Sequence, residues 1–369
     1  MVLYYFLSGI SSKGGIERIS IQKANYLVEL GFSVSIVVLG TGNDIPAYPI
    51  SSKINYIQIQ KHPASSIKQK IREVFRLKDI IANIIKDADV VVSANCVLIS
   101  WILPFIQRKV PKLLELHFSY EGLQSRDVTL YNGNKLKCFL HNILRHIIYP
   151  FYDRLVVLTE HDKQRWNTRN CIVIPNYTTF QSSTRHVCKE KIVIAVGRLS
   201  EQKCLSRLID AWHLIYKYCG DYKLFIYGDG PLYNDLVNQI RCLGMEKSVF
   251  LKGNVSNMED VYQSASFLVM SFKYEGLPMV AIEAFQFALP IVAYNIPGME
   301  SVITNYENGI LVEDGNTEAF AKAMLSLIND SGMLEKMSRK ALDVSSLYLE
   351  KNIMDRWERL FDVLISEKR

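Results

Sequence analysis

Short runs that are apolar on both faces recur along this chain, each closed by a turn and followed by a stretch with helical spacing. That alternation limits the possible folds more than any other feature. VLYYFL, the loop SGISSKGG, a helix-like stretch to about Leu30 stopped by Gly31, and FSVSIVVL make a first strand–helix–strand unit. The plan restarts near residue 191 with KIVIAV, the loop GRLSEQK, the helical pattern LSRLIDAWHLIYKY ended by Cys-Gly, and YKLFIYG. Strands apolar on both faces need cover on both faces, so each half should hold a parallel sheet wrapped by helices. Further strands read at DVVVSA (89–94), PKLLELH (111–117), RLVVLT (154–159), SVFLKG (248–253), SFLVMS (266–271), LPIVAY (289–294) and GILVED (309–314). The fold class is α/β, with two Rossmann-like, doubly wound domains. A polar segment rich in Ser and Thr, 176–190, reads as the linker between domains at 1–178 and 188–350. A closing helix within 351–369, with Trp357, Leu360, Phe361 and Leu364 on one face, should pack back on the first domain. Such domains bind ligand beyond the carboxyl ends of their strands, here in the cleft expected between them.

Cysteine usage and charge narrow the setting. The seven cysteines are scattered and form no C-x-x-C pair or zinc spacing, which fits a reduced, cytoplasmic protein. The start, MVLYYFLSGI, lacks a basic leader and reads as a buried strand. The apolar run 90–106 is broken by Ser93, Asn95, Ser100 and Pro104 and is too short for a membrane span. Residues 1–180 carry 22 Lys and Arg against 13 Asp and Glu, a net +9, and the remainder a net −3. The first half therefore faces something anionic. Within it, 61–78 holds six Lys and Arg against one Glu, with Ile67, Ile71, Val74 and Phe75 near helical spacing. It reads as a helix in peripheral contact with an anionic membrane, at the inner face of the plasma membrane. The similar stretch 135–154 reads as a core-packed helix with a solvated face. Basic residues are not interleaved with aromatic ones, so no nucleic-acid partner is expected.

The chemistry concentrates in YEGLPMVAIE (274–283). Pro278 favours the first turn of a helix, leaving Glu275 in the preceding loop, Glu283 in the second turn, and free first-turn amides between them. That is an anion site bracketed by two hydroxyl acceptors. The loop GRLSEQK puts Arg198 and Lys203 directly after a strand, a forked donor and a mobile cation suited to phosphate. Asp87-Ala-Asp89 mimics a metal-binding D-x-D but reads as a helix-to-strand boundary, and no metal ligand set is expected.

These stretches together resemble the family 4 glycosyltransferases of the GT-B fold. The matches are KGGIERI (13–19), LELH (114–117), VVLTEHDK (156–163), VIPN (173–176), VGRLSEQK (196–203), YGDGPLYNDL (227–236), FLKGNV (250–255), EGLPMVAIEAFQFALPIVA (275–293) and NGILV (308–312). The resemblance implies sugar transfer from a nucleotide diphosphate sugar, with retention of configuration and without a metal or other cofactor. It implies that Glu275 accepts hydrogen bonds from donor-sugar hydroxyls, that amides around Gly276, Leu277, Met279 and Val280 approach sugar and diphosphate, and that Glu283 holds the ribose. Arg198 and Lys203 would neutralise the leaving diphosphate, and His117 would touch the donor sugar. Gly14 and Gly15 would let backbone approach the diphosphate, and Asn254 and Val255, with YGDGP, would cradle a uracil. Phe118 after His117, Cys204 after Lys203 and Tyr177 after Asn176 depart from the family's usual residues.

The reading is a glycosyltransferase of polysaccharide assembly (capsule, exopolysaccharide or O-antigen) acting on a UDP-linked donor and a lipid-linked glycan acceptor. Two alternatives stand beside it: a nucleotide-sugar-binding subunit without turnover, and an epimerase or phosphorylase on the same scaffold. A dinucleotide oxidoreductase lacks support, because no G-x-G-x-x-G directly follows the first strand.

Overall fold

The structure is a computed structural model that describes residues 1–12, 14–40, 45–63, 65–94, 97–181 and 190–368. Lys13 of the first glycine loop, Asn95, and 182–189 within the expected linker lie outside the described residues. The chain divides into two compact units, Met1–Asn176 with Ile353–Arg369, and Tyr177–Asn352.

Among the described residues, the first unit holds seven parallel strands: β1 (Val2–Leu7), β2 (Ser33–Gly40), β3 (Asn55–Gln60), β4 (Val90–Ala94), β5 (Lys112–Glu115), β6 (Arg154–Val157) and β7 (Cys171–Val173). Their order is β3-β2-β1-β4-β5-β6-β7, so β1 lies between β2 and β4, with Leu3 level with Val34 on one side and Val90 on the other. The helices are α1 (Gly15–Glu29), α2 (Ile67–Ile84), α3 (Val97–Ile102), α4 (Tyr120–Leu130), α5 (Lys135–Ile148) and α6 (Glu160–Trp166). Leu77 and Ile81 of α2, Ile99 of α3, Tyr120 and Leu123 of α4 and Trp166 of α6 join one core layer with Phe6, Val91, Leu114 and Leu155 of the strands.

In the second unit six parallel strands among the described residues repeat the plan: β8 (Ile192–Val196), β9 (Lys223–Tyr227), β10 (Val249–Gly253), β11 (Phe267–Met270), β12 (Ile291–Tyr294) and β13 (Gly309–Val312). Their order is β10-β9-β8-β11-β12-β13. Around them lie α7 (Leu205–Ile215), α8 (Tyr233–Cys242), α9 (Met258–Ser264), α10 (Met279–Gln286), α11 (Pro297–Glu300), α12 (Thr317–Asn329) and α13 (Ser331–Ser345). In both sheets the order reverses at the first strand. The connections leaving the two strands there diverge, and their carboxyl ends frame a binding position.

The last helix, α14 (Glu350–Lys368), buries Trp357, Leu360, Phe361 and Leu364, the face its spacing marked. From Ile353 it belongs to the first unit. Lys23 of α1 sits over the Trp357 ring, 3.7 Å from its centre, and Arg154 of β6 pairs with Glu367 at 2.6 Å.

Two features depart from the sequence reading. β3 and β7 were not among the expected strands; they are the two edges of the first sheet, and edge strands need not be apolar on both faces. The stretch 135–154, read as core-packed, is so only at its end, where Tyr149 and Tyr152 join the core and Ile148 packs against it. Its helix α5 turns Leu136, Phe139, Leu140, Ile143, Leu144 and Ile147 outward. Its inward side carries an ion pair: Arg145 forks onto both oxygens of Asp127 of α4 at 2.5 and 2.7 Å, and His141 Nδ1 lies 3.0 Å from the same carboxylate. Amphipathic spacing shows that a helix has an apolar stripe, not which side a buried ion pair will hold down. In the basic helix α2, Ile67, Ile71 and Phe75 are exposed.

Cys204, where the resembled family has glycine, adopts φ +47° and ψ +39° as it caps the start of α7. A side chain in this left-handed region costs about 1–2 kcal/mol, partly offset for glycine by its greater unfolded entropy. Cys204→Gly is therefore expected to raise the unfolding free energy of the second unit by about 1 kcal/mol in urea denaturation. An unchanged or lowered midpoint would show that the turn is not strained.

Candidate functional site in the second unit

The order reversal in the second sheet lies between β8 and β11, and the two loops there carry the residues that the sequence singled out. After β8 the chain runs through Gly197, Arg198 and Leu199 into a single tight turn, Glu201–Lys203. After β11 it runs through Ser271–Leu277 to Pro278, which caps α10. Backbone packing fixes both loops. A Cβ on Gly228 would fall 2.0 Å from the Gly197 carbonyl oxygen, and one on Gly230 would fall 2.5 Å from that of Leu199. The Leu199 amide donates to Asp229 O (3.0 Å), and the Leu232 amide donates to Leu199 O (3.1 Å). The YGDGP stretch, expected to help cradle a base, thus places its glycines against the 197–199 backbone. Gly298 does the same under the second loop, where a Cβ would meet the carbonyls of Glu275 and Gly276, each at 2.5 Å.

The two loops are also joined to each other. Ser271 Oγ donates to Lys203 O (2.7 Å), the Lys273 amide to Gln202 O (2.9 Å), and Gln202 Nε2 to Tyr274 O (3.0 Å). Lys203 Nζ lies 2.5 Å from Glu275 Oε2 and 3.6 Å from the centre of the Phe272 ring. With side chains 16% and 22% exposed, the pair is sheltered yet open to a ligand on one side. Arg198 is exposed on the same loop as Lys203. The cation and the carboxylate neutralise each other here. An arriving anion could take over the ammonium and leave Glu275 free to accept hydroxyl groups.

α10 begins beside this pair. Its first-turn amides, at Met279 and Val280, have no acceptor within the helix, while Gly276 and Leu277 form the buried approach to it. Glu283, in the second turn, is buried, and Tyr262 Oη donates to its Oε2 at 2.8 Å. Tyr262 stacks on Phe287, with ring centres 5.4 Å apart, which fixes the phenol. Two strands from the reversal, Asn254 and Val255 are exposed after β10, next to Gly253, whose φ is +67° and whose carbonyl accepts from the Gly228 amide at 2.8 Å.

Gly14, Gly15 and His117 belong to the first unit, at the carboxyl ends of β1 and β5. Gly14 caps α1, and a Cβ there would lie 2.4 Å from Glu17 Oε2, so the first-turn carboxylate folds back over it. His117 is buried, its Nε2 3.3 Å from Glu115 Oε1. Neither ring nitrogen completes a hydrogen bond among the described residues. Burial pushes the Glu115 carboxyl up, but the charges of Lys23 and His117 outweigh it and hold the group at about 2. The imidazole therefore faces an ionised carboxylate. Asp87 and Asp89 serve elsewhere, accepting from Tyr4 Oη at 2.9 Å and from the Val2 amide at 2.8 Å at the amino end of the sheet.

Sequence reasoning did not single out Gln202, Phe272, Tyr262, Gly298 or the Lys23–Glu115 pair. Gln202 and Glu115 stood inside quoted motifs, and nothing local marks the others, since their partners are distant in sequence.

Comparison with known proteins places this geometry. Residues 177–344 match the glycosyl transferases group 1 family, and residues 13–177 match glycosyltransferase family 4. An uncharacterised glycosyltransferase of Haemophilus influenzae is 31% identical, over 96% of this chain and 98% of that one. The amylovoran biosynthesis glycosyltransferase AmsD of Erwinia amylovora is 26% identical, over 98% and 99%. At the same 26% stands a Campylobacter jejuni enzyme named as an α-1,4-N-acetyl-D-galactosaminyltransferase acting on a diphosphoundecaprenol-linked sugar, over 98% of both. Among solved structures, sucrose-phosphate synthase from Thermosynechococcus elongatus superposes with a TM-score of 0.81 at 17% identity over 99% of both chains. HepE from Anabaena, in complex with UDP and glucose, gives 0.75 at 17% identity over 99% of this chain and 100% of its own. With both halves matched and a relative above 30% identity along nearly the whole length, the chain belongs to glycosyltransferase family 4 and has the GT-B fold.

Proposed function

We propose that this glycosyltransferase moves a hexose or N-acetylhexosamine from a UDP-linked donor to a lipid-linked glycan, with retention of configuration, during assembly of a bacterial polysaccharide. One observation carries the reading: at the order reversal of the second sheet, Lys203 and Glu275 meet beside the exposed Arg198 and the open amides of α10. The pair separates along the donor. Lys203 and Arg198 take the diphosphate, where negative charge grows as the bond to the anomeric carbon breaks. Glu275, released from Lys203, accepts hydroxyls of the sugar, and amides from Gly276 to Val280 approach sugar and phosphate. Glu283, oriented by Tyr262, takes the ribose, and Asn254 and Val255 take the base. In the first unit, Gly14, Gly15 and His117 serve from the carboxyl ends of their own sheet.

The acceptor oxygen bonds to the anomeric carbon on the face that the diphosphate leaves, and the acceptor proton passes to a diphosphate oxygen. Two fixed cations supply the charge that a metal supplies in other transferases, so none is required. The UDP in the HepE structure supports a uridine donor. The name of the undecaprenol-linked enzyme supports a glycan acceptor on a lipid carrier, as do the basic charge of residues 1–180 and the exposed Ile67, Ile71 and Phe75 of α2, and the name of AmsD supports a role in polysaccharide biosynthesis.

Titration calorimetry of UDP, GDP and ADP without metal should show UDP preferred. Arg198→Ala/Lys203→Ala should weaken UDP by about 10²–10⁴-fold, since each charge-assisted contact contributes about 1.5–3 kcal/mol. A GDP preference would contradict the uridine assignment, and unchanged affinity in the double variant would contradict the site. Turnover should persist in EDTA and give a product with the donor's anomeric configuration by NMR. Loss of turnover on chelation, or an inverted product, would refute the mechanism.

A further inference from the structure

α5 is built inside out. Its charged side, Arg145 with His141, is turned into the first unit against Asp127, and its apolar side is turned out. The six large apolar residues of that face are 39–66% exposed. At 100° per residue they fall within an arc of about 140°. Lys135 and His146 border one edge of the arc, and Lys137 borders the other. From Val128 to Tyr152 the chain holds no acidic residue. The apolar surface continues beyond the helix. Phe151 packs on Phe105, with ring centres 5.3 Å apart, and Arg108 lines the same pocket. Val128 and Leu130 of α4 are exposed as well. α2, with its exposed Ile67, Ile71 and Phe75 beside Lys68, Lys70 and Arg72, packs on the same core layer of the sheet.

We infer that the outer face of α5 inserts into the surface of an anionic phospholipid bilayer and is the principal membrane contact of the first unit. The occupant must offer an apolar interior and negative charge at the level of the lysines, and a bilayer interface offers both at that spacing. A second copy of this face would bring Lys135 and Lys137 against like charge. At 1.5 Å per residue the helix is about 21 Å long, too short to cross a hydrocarbon core, so it lies in the interface plane. Its base is rigid because the Arg145–Asp127 fork is buried, and withdrawing the helix from that fork would strand a charge. The inference deepens the lipid-linked acceptor reading, on which its biological sense rests. It moves the main contact from the expected 61–78 to 135–151, with α2 as a flanking basic element.

Flotation of the full-length protein with phosphatidylglycerol-containing vesicles, and with vesicles of phosphatidylcholine alone, tests it. The wild type should float with the anionic vesicles and much less with the neutral ones. Phe139→Gln/Ile143→Gln replaces two exposed side chains and should weaken vesicle binding about tenfold or more while leaving UDP affinity unchanged. Lys135→Glu/Lys137→Glu should weaken it too and flatten its dependence on salt. Flotation that is absent in the wild type, or unchanged in Phe139→Gln/Ile143→Gln, would overturn the inference. So would a vesicle-free dimer that the apolar variant converts to monomer in light scattering, since that assigns the face to a second copy. Loss of UDP binding with flotation intact would instead fail the donor reading alone.

Discussion

Backbone pressed against backbone at the carboxyl ends of the second sheet is the contact on which the site depends. Gly228 and Gly230 let the β9 loop lie against the carbonyls of Gly197 and Leu199, and Gly298 lets the β12 loop lie under those of Glu275 and Gly276. A methyl group at any of the three would overlap a carbonyl oxygen and force a loop to move. Arg198, Lys203 and Glu275 thus sit on loops held by main chain, and Lys203 and Glu275 also join those loops through their own ion pair. On the proposed function, in which these cations meet a diphosphate as charge develops, such pre-set geometry favours the reaction.

Buried charge shapes the first unit in a complementary way. Lys23, Glu115 and His117 form one cluster against Trp357, tying α1, β5 and the last helix together and leaving a buried imidazole whose nitrogens complete no hydrogen bond among the described residues. Arg145 and Asp127 hold α5 by its polar side. Losing one member of either pair strands a charge away from water, so neither helix is easily released. In α5 the outcome is an apolar face left without cover inside its own unit. Polar burial and apolar exposure are there two sides of one arrangement.

Much of this was legible in the sequence because it follows from short-range pattern. Strands apolar on both faces announced eleven of the thirteen strands among the described residues, and of these only the edges β3 and β7 escaped. Pro278 placed Glu275 before α10 and Glu283 in its second turn. Partners far apart in sequence were not legible. Lys203 meets Glu275 across 72 residues, Tyr262 meets Glu283 across 21, and Lys23 meets Glu115 across 92. The orientation of α5 was misread for the same reason: its spacing is that of any amphipathic helix, and the buried fork that reverses it lies 18 residues away.

The central claim is that the loops around the β8–β11 reversal receive a nucleoside diphosphate sugar. Hydrogen exchange of the full-length protein, with and without saturating UDP, tests it most directly. The account predicts that slowing in the second unit concentrates in 197–203, 253–255 and 275–283. Slowing that spares these segments while appearing elsewhere in the chain would contradict it.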